Sequence, residues 1–214
     1  MLHIGTWFWG DKYSPGHLAK LEAGVKRHVK QPYRWSVFHP RPEDMLLTRI
    51  QGCFARLRMF DPEWQQRNGI EEDERLVCLD LDSVVINTLD PLFDRTEPFV
   101  ILQGANASNP CPFNGSVMML RGGYRPDVWS DFSLDAAATI QRYQFADDQG
   151  WLWHKLPEAA GWQVGSASGI YAFRKPGWPS RGTALPRDAR LVVFPGWRDP
   201  SKFIYLPWIR DNWV

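Results

Sequence analysis

The chain has 214 residues, of which 44% are hydrophobic, and its formal net charge is +1. These values are typical of one large globular domain with a core of its own. No run of about 18 or more apolar residues is present, so no membrane span is predicted. The first residues lack the basic and apolar regions of a signal peptide. We therefore expect a cytoplasmic protein.

Cysteine spacing and charge distribution further limit the kinds of site that the chain can contain. An odd number of widely spaced cysteines favours reduced thiols over a disulfide framework or a zinc site. The three cysteines are Cys53, Cys78 and Cys111. Residues 1–60 carry ten Lys or Arg against four Asp or Glu, and residues 171–214 carry eight against three. Residues 61–100 carry three against eleven, so basic ends could frame an acidic centre, although solvated faces explain such a pattern equally well.

Strands and helices alternate along the first third of the chain. Residues 3–8 predict a strand, and Ser14 followed by a proline is typical of the start of a helix, here running to about residue 30. Residues 33–39 predict a second strand. Residues 43–60 predict a second helix, ended by an Asp-Pro pair. The side chains expected on its buried face are Leu46, Ile50, Phe54 and Leu57.

An apolar run that ends in two carboxylates is the most informative segment. Residues 76–79 follow a polar loop at 66–75 and predict a buried strand, and Asp80 and Asp82 come directly after it. Open α/β sheets bind ligands at the carboxyl ends of their strands, so both side chains are expected in a ligand crevice. Side chains at i and i+2 of an extended chain lie on one side, where two carboxylates could hold a divalent ion that carries a diphosphate.

The remainder predicts one continuous α/β domain without repeats or linkers, with a loop-rich C-terminal part. Its predicted elements are a short helix within 86–93, strands at 99–103 and 117–120, a loop at 109–113, helices at 134–145 and from 147, and a strand at 191–194.

Two protein families end a strand with such an Asp-x-Asp. Residues 77–85 resemble the first motif of haloacid-dehalogenase-like phosphatases, in which Asp80 would be a nucleophile and Asp82 an acid or base. In that family the motif lies on the first strand, whereas here two βα units precede it. The position of the motif therefore argues against this alternative.

More of the chain resembles a small bacterial or phage-type nucleotide-sugar glycosyltransferase of the GT-A fold. The order and spacing of several segments carry the resemblance, which extends to about residue 200. They are residues 56–62, 80–82, 87–93, 113–118 and 148–149. The resemblance implies a Rossmann-like domain over residues 1–214 with a mixed central sheet flanked by helices. Its nucleotide-binding half would be residues 1–100, and its sugar and acceptor half residues 101–214.

The resemblance also implies roles for individual residues. A UDP-sugar is the expected donor, with Mn²⁺ or Mg²⁺ as cofactor to stabilise the leaving diphosphate. The implied metal ligands are Asp82 and Asp80. The implied nucleotide-binding residues are Thr6, Trp7, Phe8, Tyr13, Arg56, Asp80 and Leu81. The implied sugar-binding residues are Asn114, Gly115, Ser116, Asp148 and Gln149, and Asp148 or Asp147 is the expected catalytic carboxylate.

One position departs from the family pattern, and two questions stay open. Related enzymes often supply a His after the C-terminal strand, where this chain reads Phe194-Pro195-Gly196-Trp197, and His154 is a candidate replacement. A non-catalytic nucleotide- or sugar-binding module is the remaining alternative to an enzyme. The acceptor could be a glycan or a modified base in phage DNA, since the basic residues after 171 lie among aromatic side chains.

Overall fold

The computed structural model describes residues 1–105, 110–140, 146–178, 182–196 and 198–214. Two sheets and a series of short helices make up this part of the chain. The strands are β1 (Leu2–Trp7), β2 (Tyr33–Phe38), β3 (Arg75–Leu79), β4 (Val84–Val85), β5 (Phe99–Gln103), β6 (Phe113–Arg121), β7 (Ala160–Gln163), β8 (Ile170–Ala172) and β9 (Leu191–Val193). The α-helices are α1 (Pro15–His28), α2 (Met45–Arg49), α3 (Pro62–Arg67), α4 (Asp90–Phe93), α5 (Asp127–Ser130), α6 (Leu134–Ala138), α7 (Asp148–Lys155) and α8 (Pro207–Asn212). Segments Pro42–Asp44, Phe54–Phe60 and Pro200–Phe203 are 3₁₀ helices.

A six-stranded mixed sheet with the order β2-β1-β3-β6-β5-β7 forms the centre of the fold. Strands β2, β1 and β3 are parallel, and β6 runs antiparallel to both β3 and β5. The start of β6 therefore lies beside the end of β3, where Leu79 pairs with Val117. The predicted α/β class and mixed central sheet are confirmed.

Both faces of this sheet are buried, which explains why β3 reads as a continuous apolar run. Val77 and Leu79 point into a core that includes α1, whereas Leu76 and Cys78 point into a core that includes α3. We call these the α1-side core and the α3-side core. Successive side chains of a strand point to opposite faces, so each residue of β3 contributes to one core or the other.

A three-stranded sheet, β4-β9-β8, joins the C-terminal part to the segment that follows β3. Its aromatic cluster is built by Phe173, Trp178, Phe194 and Trp208, whose rings lie 4.9–6.4 Å apart in their closest pairs. Core packing therefore accounts for much of the tryptophan content in this part of the chain. Trp197 lies outside the described residues.

The predicted helix over residues 43–60 is wrong. The segment forms two 3₁₀ helices and the short α2. Helical structure is interrupted at Gly52 and Cys53, which have φ values of +123° and +54°. Leu46, expected in the core, is 60% exposed. A Cβ at Gly52 would lie 3.0 Å from the carbonyl of Ala146, so close approach of two backbones replaces the continuous helix.

Other predicted boundaries also shift. The Asp-Pro pair expected to end that helix begins α3, because Asp61 accepts a hydrogen bond from the backbone N–H of Glu63 at 3.0 Å. Helix α3 takes the first residues of the predicted loop at 66–75, and β6 starts four residues before the predicted strand at 117. Helix α6 ends at Ala138, and residues 141–145 of the predicted helix lie outside the described part, as does Asn109 of the predicted loop.

No helix in the described segments is long and apolar enough to cross a membrane. Cys53, Cys78 and Cys111 are free thiols, and Cys78 is part of the α3-side core.

Substitution of Gly5 tests the packing of β1. A Cβ at this position would lie 2.8 Å from Cζ of Phe38 and 3.0 Å from the carbonyl of Ser36. We expect Gly5→Ala to lower the free energy of unfolding by about 1–3 kcal/mol, the usual cost of overpacking, as measured by urea denaturation. Gly16→Ala in the first turn of α1, where the Cβ meets only Ser14 Oγ at 3.3 Å, is the control and should change it by less than about 0.5 kcal/mol. Equal effects of the two substitutions would contradict this account.

Candidate active site

The Asp pair lies at the carboxyl end of β3, in the position that the sequence predicts. The turn after β3 is closed by a hydrogen bond from Ser83 N–H to the carbonyl of Asp80 at 3.1 Å. The N–H of Asp80 donates to the carbonyl of Ser116 at 3.0 Å, which ties this turn to the start of β6. Asp82 is 4% exposed, whereas about a third of the Asp80 side chain is exposed. Asp80 therefore faces the solvent side of the site, and Asp82 lies beneath its surface.

Arg56 is a buried guanidinium that connects three segments of the site. Its Nη1 donates to Asp80 Oδ1 at 2.7 Å and to the carbonyl of Gly115 at 2.9 Å. Its Nε and Nη2 contact Asp148 Oδ2 at 2.9 and 2.6 Å. The planar donor fork of arginine suits such multiple contacts. The predicted nucleotide ligand Arg56 is thus bound to protein groups, and it brings Asp80, Gly115 and Asp148 together.

Burial raises the pKa of three carboxyls at the site, those of Asp82, Asp147 and Asp148. Desolvation raises the pKa of Asp148 to about 7, although the neighbouring Arg56 opposes this shift. Desolvation and, secondarily, the charge of Asp80 raise the pKa of Asp82 to about 7, against a hydrogen bond from Tyr13. Groups with pKa values near neutrality can accept and release protons under physiological conditions.

The predicted sugar-binding residues form one hydrogen-bonded unit. Asp147 caps α7, because its Oδ1 accepts from the N–H of Gly150 at 2.6 Å. Gln149 receives a hydrogen bond from the N–H of Gly115 at 3.2 Å and donates to Asp147 Oδ2 at 3.3 Å. Asn114 Oδ1 accepts from the N–H of Ser116 at 3.1 Å. The start of β6 and the start of α7 are therefore fixed to each other.

Gly115 has no room for a side chain. A Cβ there would lie 2.9 Å from Cζ of Arg56, so the close approach of the guanidinium to the β6 backbone requires glycine. The peptide N–H and C=O groups on either side are held by Gln149 and Arg56, respectively. The resemblance implies that Gly115 binds the sugar, and in the structure the group that approaches its backbone is Arg56.

Tyr13 reaches the Asp pair from the loop between β1 and α1. Its hydroxyl donates to Asp82 Oδ2 at 2.5 Å, and burial together with Asp82 raises the pKa of Tyr13. The Tyr13 ring lies 5.3 Å from the ring of His17, whose Nε2 is 3.1 Å from Asp199 Oδ2. The structure thus brings Tyr13 to the site, as the resemblance implies.

His17 and Asp199 are neighbours of the site that sequence reasoning missed. The pair is 182 residues apart in the chain, and Asp199 also caps the 3₁₀ helix Pro200–Phe203 through the N–H of Ser201. Ser14, correctly predicted as the N-cap of α1, contacts His17 Nδ1 with its hydroxyl at 3.1 Å. The Ser14-x-x-His17 spacing was the signal for a capping arrangement, but no local pattern indicates Asp199.

The remaining predicted nucleotide-binding residues differ in accessibility. Trp7 stacks on Trp64 at 5.3 Å in the α3-side core, so its ring has a packing role. Leu81 belongs to the α1-side core, and Thr6 is fully buried. Phe8 is half-buried, and its ring contacts the ring of the exposed His39. Nδ1 of His39 lies 2.9 Å from the carbonyl oxygen of Phe8. Of these residues, Phe8 offers the ring that a ligand could contact.

In the described residues, no group of three or more His, Cys, Asp and Glu is arranged to hold a metal ion. His154, the candidate replacement ligand, packs against Trp151 near the end of α7. Asp82 Oδ1 is nonetheless buried and has no hydrogen-bond partner among the described groups. Mg²⁺ is usually held by one or two carboxylates together with substrate phosphates and water. The Asp80–Asp82 pair therefore fits a cation that arrives with a diphosphate.

Comparison with solved structures identifies the fold. The galactosyltransferase LgtC, in complex with donor and acceptor sugar analogues, superposes with a TM-score of 0.55 at 13% identity, over 100% of this chain and 97% of that one. A glycosyltransferase that acts in glycosylation of the major capsid of PBCV-1 gives 0.59 at 16% identity, over 91% and 93%. GlyE of Streptococcus pneumoniae TIGR4 gives 0.64 at 11% identity, over 99% and 61%. The chain has the GT-A glycosyltransferase fold.

Sequence comparison alone does not detect a relationship to known proteins. No protein-family model matches the chain, and no curated protein matches it in sequence. Because the sequence identities are only 11–16%, the structural likeness establishes the GT-A fold alone. It also argues against the phosphatase alternative, in which Asp80 would be a nucleophile on a first strand.

Removal of Arg56 tests whether the buried ion pairs hold the site together. Arg56→Met would leave Asp148 buried without its cation, and we expect the free energy of unfolding to fall by about 3 kcal/mol or more. Arg67→Met is the control, because its ion pair with Glu63 joins side chains that are more than half exposed, and it should cost less than about 1 kcal/mol. Urea denaturation of both variants measures the difference, and a similar small loss in each would contradict a structural role for Arg56.

The raised pKa of Asp82 predicts a pH dependence of stability. Between its unfolded value of about 3.9 and its folded value of about 7, the unfolded chain loses this proton before the folded chain does. Stability contributed by Asp82 is therefore present below about pH 4 and is lost as the pH rises to 7. In EDTA, Asp82→Asn should gain stability relative to wild type from pH 4.5 to 7.5, by an amount on the order of 2–4 kcal/mol.

Urea denaturation at several pH values checks this prediction. Asp211→Asn, at an exposed carboxylate on α8, is the control and should follow the wild-type pH profile. Parallel profiles for wild type and Asp82→Asn would show that Asp82 ionises normally in the folded protein.

Proposed function

We propose that this protein is a metal-dependent glycosyltransferase that transfers a sugar from a UDP-sugar to a hydroxyl acceptor. The observation that carries the proposal is a convergence at one edge of a GT-A sheet. The Asp80–Asp82 turn, the start of β6 and the first turn of α7 meet there around Arg56. These are the three segments that a donor site needs for its diphosphate, its sugar and its catalytic carboxylate.

The nucleoside would lie over the carboxyl ends of β1 and β3. Phe8 and Tyr13 supply partly exposed rings there, and Lys12 is an exposed cation next to Tyr13. Thr6, Trp7 and Leu81 would support this subsite from beneath, since all three are buried. Aromatic faces and a flexible ammonium group suit a planar base and a phosphate, respectively.

Asp80 and Asp82 would hold Mn²⁺ or Mg²⁺ together with the diphosphate. The orphaned Oδ1 of Asp82 and the exposed part of Asp80 are the oxygens that support this assignment. Such a cation, when bound, neutralises charge that develops on the leaving diphosphate. The protein's part is to keep both carboxylates on one side of the turn after β3.

The sugar would lie against Asn114, Gly115 and Ser116, next to Asp148 and Gln149. Asp148 Oδ2 is held by Arg56, whereas Oδ1 has no hydrogen-bond partner within the described part of the chain. A sugar or acceptor hydroxyl at Oδ1 would supply the missing donor. In transfer, the bond between the sugar and the diphosphate breaks, the acceptor oxygen bonds to the sugar, and its proton passes to a carboxylate, for which Asp148 is the best placed.

The acceptor and the cellular setting are further parts of the proposal. Free cysteines support a reducing compartment such as the cytoplasm of a bacterium or of a phage-infected host. A glycan hydroxyl or a hydroxylated base in phage DNA would suit the basic segment 171–214. A DNA acceptor requires binding that weakens steeply with salt, because phosphate contacts release counterions.

A thermal-shift panel tests the donor site. Nucleoside diphosphates and UDP-sugars are added with and without Mn²⁺ to wild type, Asp82→Ala and the control Asp211→Ala. A ligand at about 100 times its Kd should raise the melting temperature by about 5 °C or more in wild type and in the control. The shift should depend on Mn²⁺ and disappear in Asp82→Ala.

Donor hydrolysis separates the alternatives. Slow release of UDP from one UDP-sugar supports a transferase, whereas binding without hydrolysis or transfer supports a non-catalytic binding module. Absence of a shift with every nucleotide and nucleotide-sugar would overturn the proposal.

A further inference from the structure

The loop that joins β1 to α1 connects two parts of the site. From this loop Tyr13 donates its hydroxyl to Asp82 Oδ2 at 2.5 Å. The neighbouring Lys12 extends to the carbonyl of Gly196 at 3.5 Å, in the segment after β9. The ammonium group of Lys12 also lies 4.6 Å from the centre of the Tyr13 ring. The adjacent residues Lys12 and Tyr13 therefore connect the C-terminal part and the Asp pair through one loop.

A second set of contacts holds Tyr13 from the side of α1. Its ring packs against His17, which is 8% exposed and is bound to Asp199 at 3.1 Å. Trp213 also packs against the His17 ring, at 5.1 Å. These contacts join the start of α1 to two C-terminal segments, so the hydroxyl of Tyr13 is directed at Asp82 by packing as well as by its own hydrogen bond.

The hydrogen bond to Asp82 occupies one of the oxygens that a cation needs. Oδ2 accepts the Tyr13 proton, and Oδ1 is buried without a partner in the described structure. A hydroxyl proton and a divalent cation cannot share the same lone pair, because both are positively polarised. Asp80 has the same restriction at Oδ1, which is bound to Arg56. Of the two oxygens of Asp82, Oδ1 alone is open to a cation, and coordination by both oxygens of Asp82 competes with the Tyr13 hydrogen bond at Oδ2.

We infer that Tyr13 gates the cation site of the Asp80–Asp82 pair, its hydroxyl occupying Asp82 until a divalent cation displaces it. The inference rests on the proposed assignment of Asp82 as a cation ligand. Lys12 precedes Tyr13 and its ammonium group lies over the Tyr13 ring, so displacement of that ring removes this contact of Lys12. The loop thus links occupation of the carboxylates to the position of a cationic side chain that can meet a diphosphate.

Mn²⁺ binding to the metal-free protein tests the gate. Free Mn²⁺ is measured by electron paramagnetic resonance in titrations to millimolar concentration. Tyr13→Phe keeps the ring and its packing but removes the hydroxyl. We expect this variant to bind Mn²⁺ about tenfold more tightly than wild type, because a hydrogen bond to a charged group no longer competes. Unchanged or weaker Mn²⁺ binding in Tyr13→Phe would overturn the gate, the weaker result making Tyr13 a supporting group of the site.

Tyr171→Phe is the matched control. Its hydroxyl also donates to a carboxylate, Asp188, at 2.8 Å, in the C-terminal part. Its Mn²⁺ affinity should equal that of wild type. An increase as large as that of Tyr13→Phe would show a general effect of tyrosine removal and would overturn the inference.

Asp82→Asn separates failure of the gate from failure of the proposed site. Loss of Mn²⁺ binding in Asp82→Asn, together with tighter binding in Tyr13→Phe, supports both. Loss in Asp82→Asn with no change in Tyr13→Phe overturns the gate alone. Normal Mn²⁺ binding in Asp82→Asn removes Asp82 as a ligand and overturns both.

Movement of the ring provides a readout that is independent of affinity. With ¹³C-labelled tyrosine, the Tyr13 ring resonance is assigned by its absence from Tyr13→Phe. It should shift as Mg²⁺ is added, in step with cation binding. A resonance that stays fixed while Mg²⁺ binds would overturn displacement of Tyr13.

Discussion

A single buried guanidinium determines how the site is assembled. Arginine keeps its charge under all physiological conditions, so burial of Arg56 is tolerated only if carboxylates and carbonyls surround it. Asp80, Asp148 and the carbonyl of Gly115 fulfil this requirement from three separate segments. The proposed donor site also needs each of these groups. The contacts that neutralise the charge of Arg56 therefore also fix the geometry of the site. Loss of any partner would leave a charge buried in the centre of the fold.

Sheet topology places these segments within reach of each other. Parallel strands alone would contribute only their carboxyl ends to the crevice, whereas the antiparallel β6 contributes its first residues. Residues 114–116 therefore lie beside the turn after β3, and Gln149 fixes them to α7. The cores on both faces of the sheet support this edge with apolar side chains, including Leu81 and Trp7. Some residues to which the resemblance assigns nucleotide contacts, such as Leu81 and Trp7, are thus core residues that support the site.

The sequence could predict the parts of this arrangement that depend on local pattern. The apolar run before Asp80, the N-cap at Ser14 and the start of a helix at Asp147 are short-range signals, and each lies where predicted. The helix over residues 43–60 failed because its periodicity hides the backbone contact at Gly52, which depends on a segment about 95 residues away in the chain. The pairs His17–Asp199 and Arg56–Asp148 join residues 182 and 92 positions apart, and no spacing rule reaches so far. Burial likewise decided that Trp7 packs against Trp64, a distinction that residue type alone does not make.

The contact between α1 and residues 212–214 has a consequence for how the protein is made. Residues 212–214 lie on α1, where Lys20 and Arg27 donate to their carbonyl groups, and Trp213 packs on His17. Domains begin to form during synthesis from the N-terminus, and contacts of long sequence separation form late. A ribosome-bound chain could build β1, β2 and β3 while the partner of His17 is still to be translated. The His17 ring, which packs against Tyr13, would then lack Asp199 and Trp213 until those residues are translated.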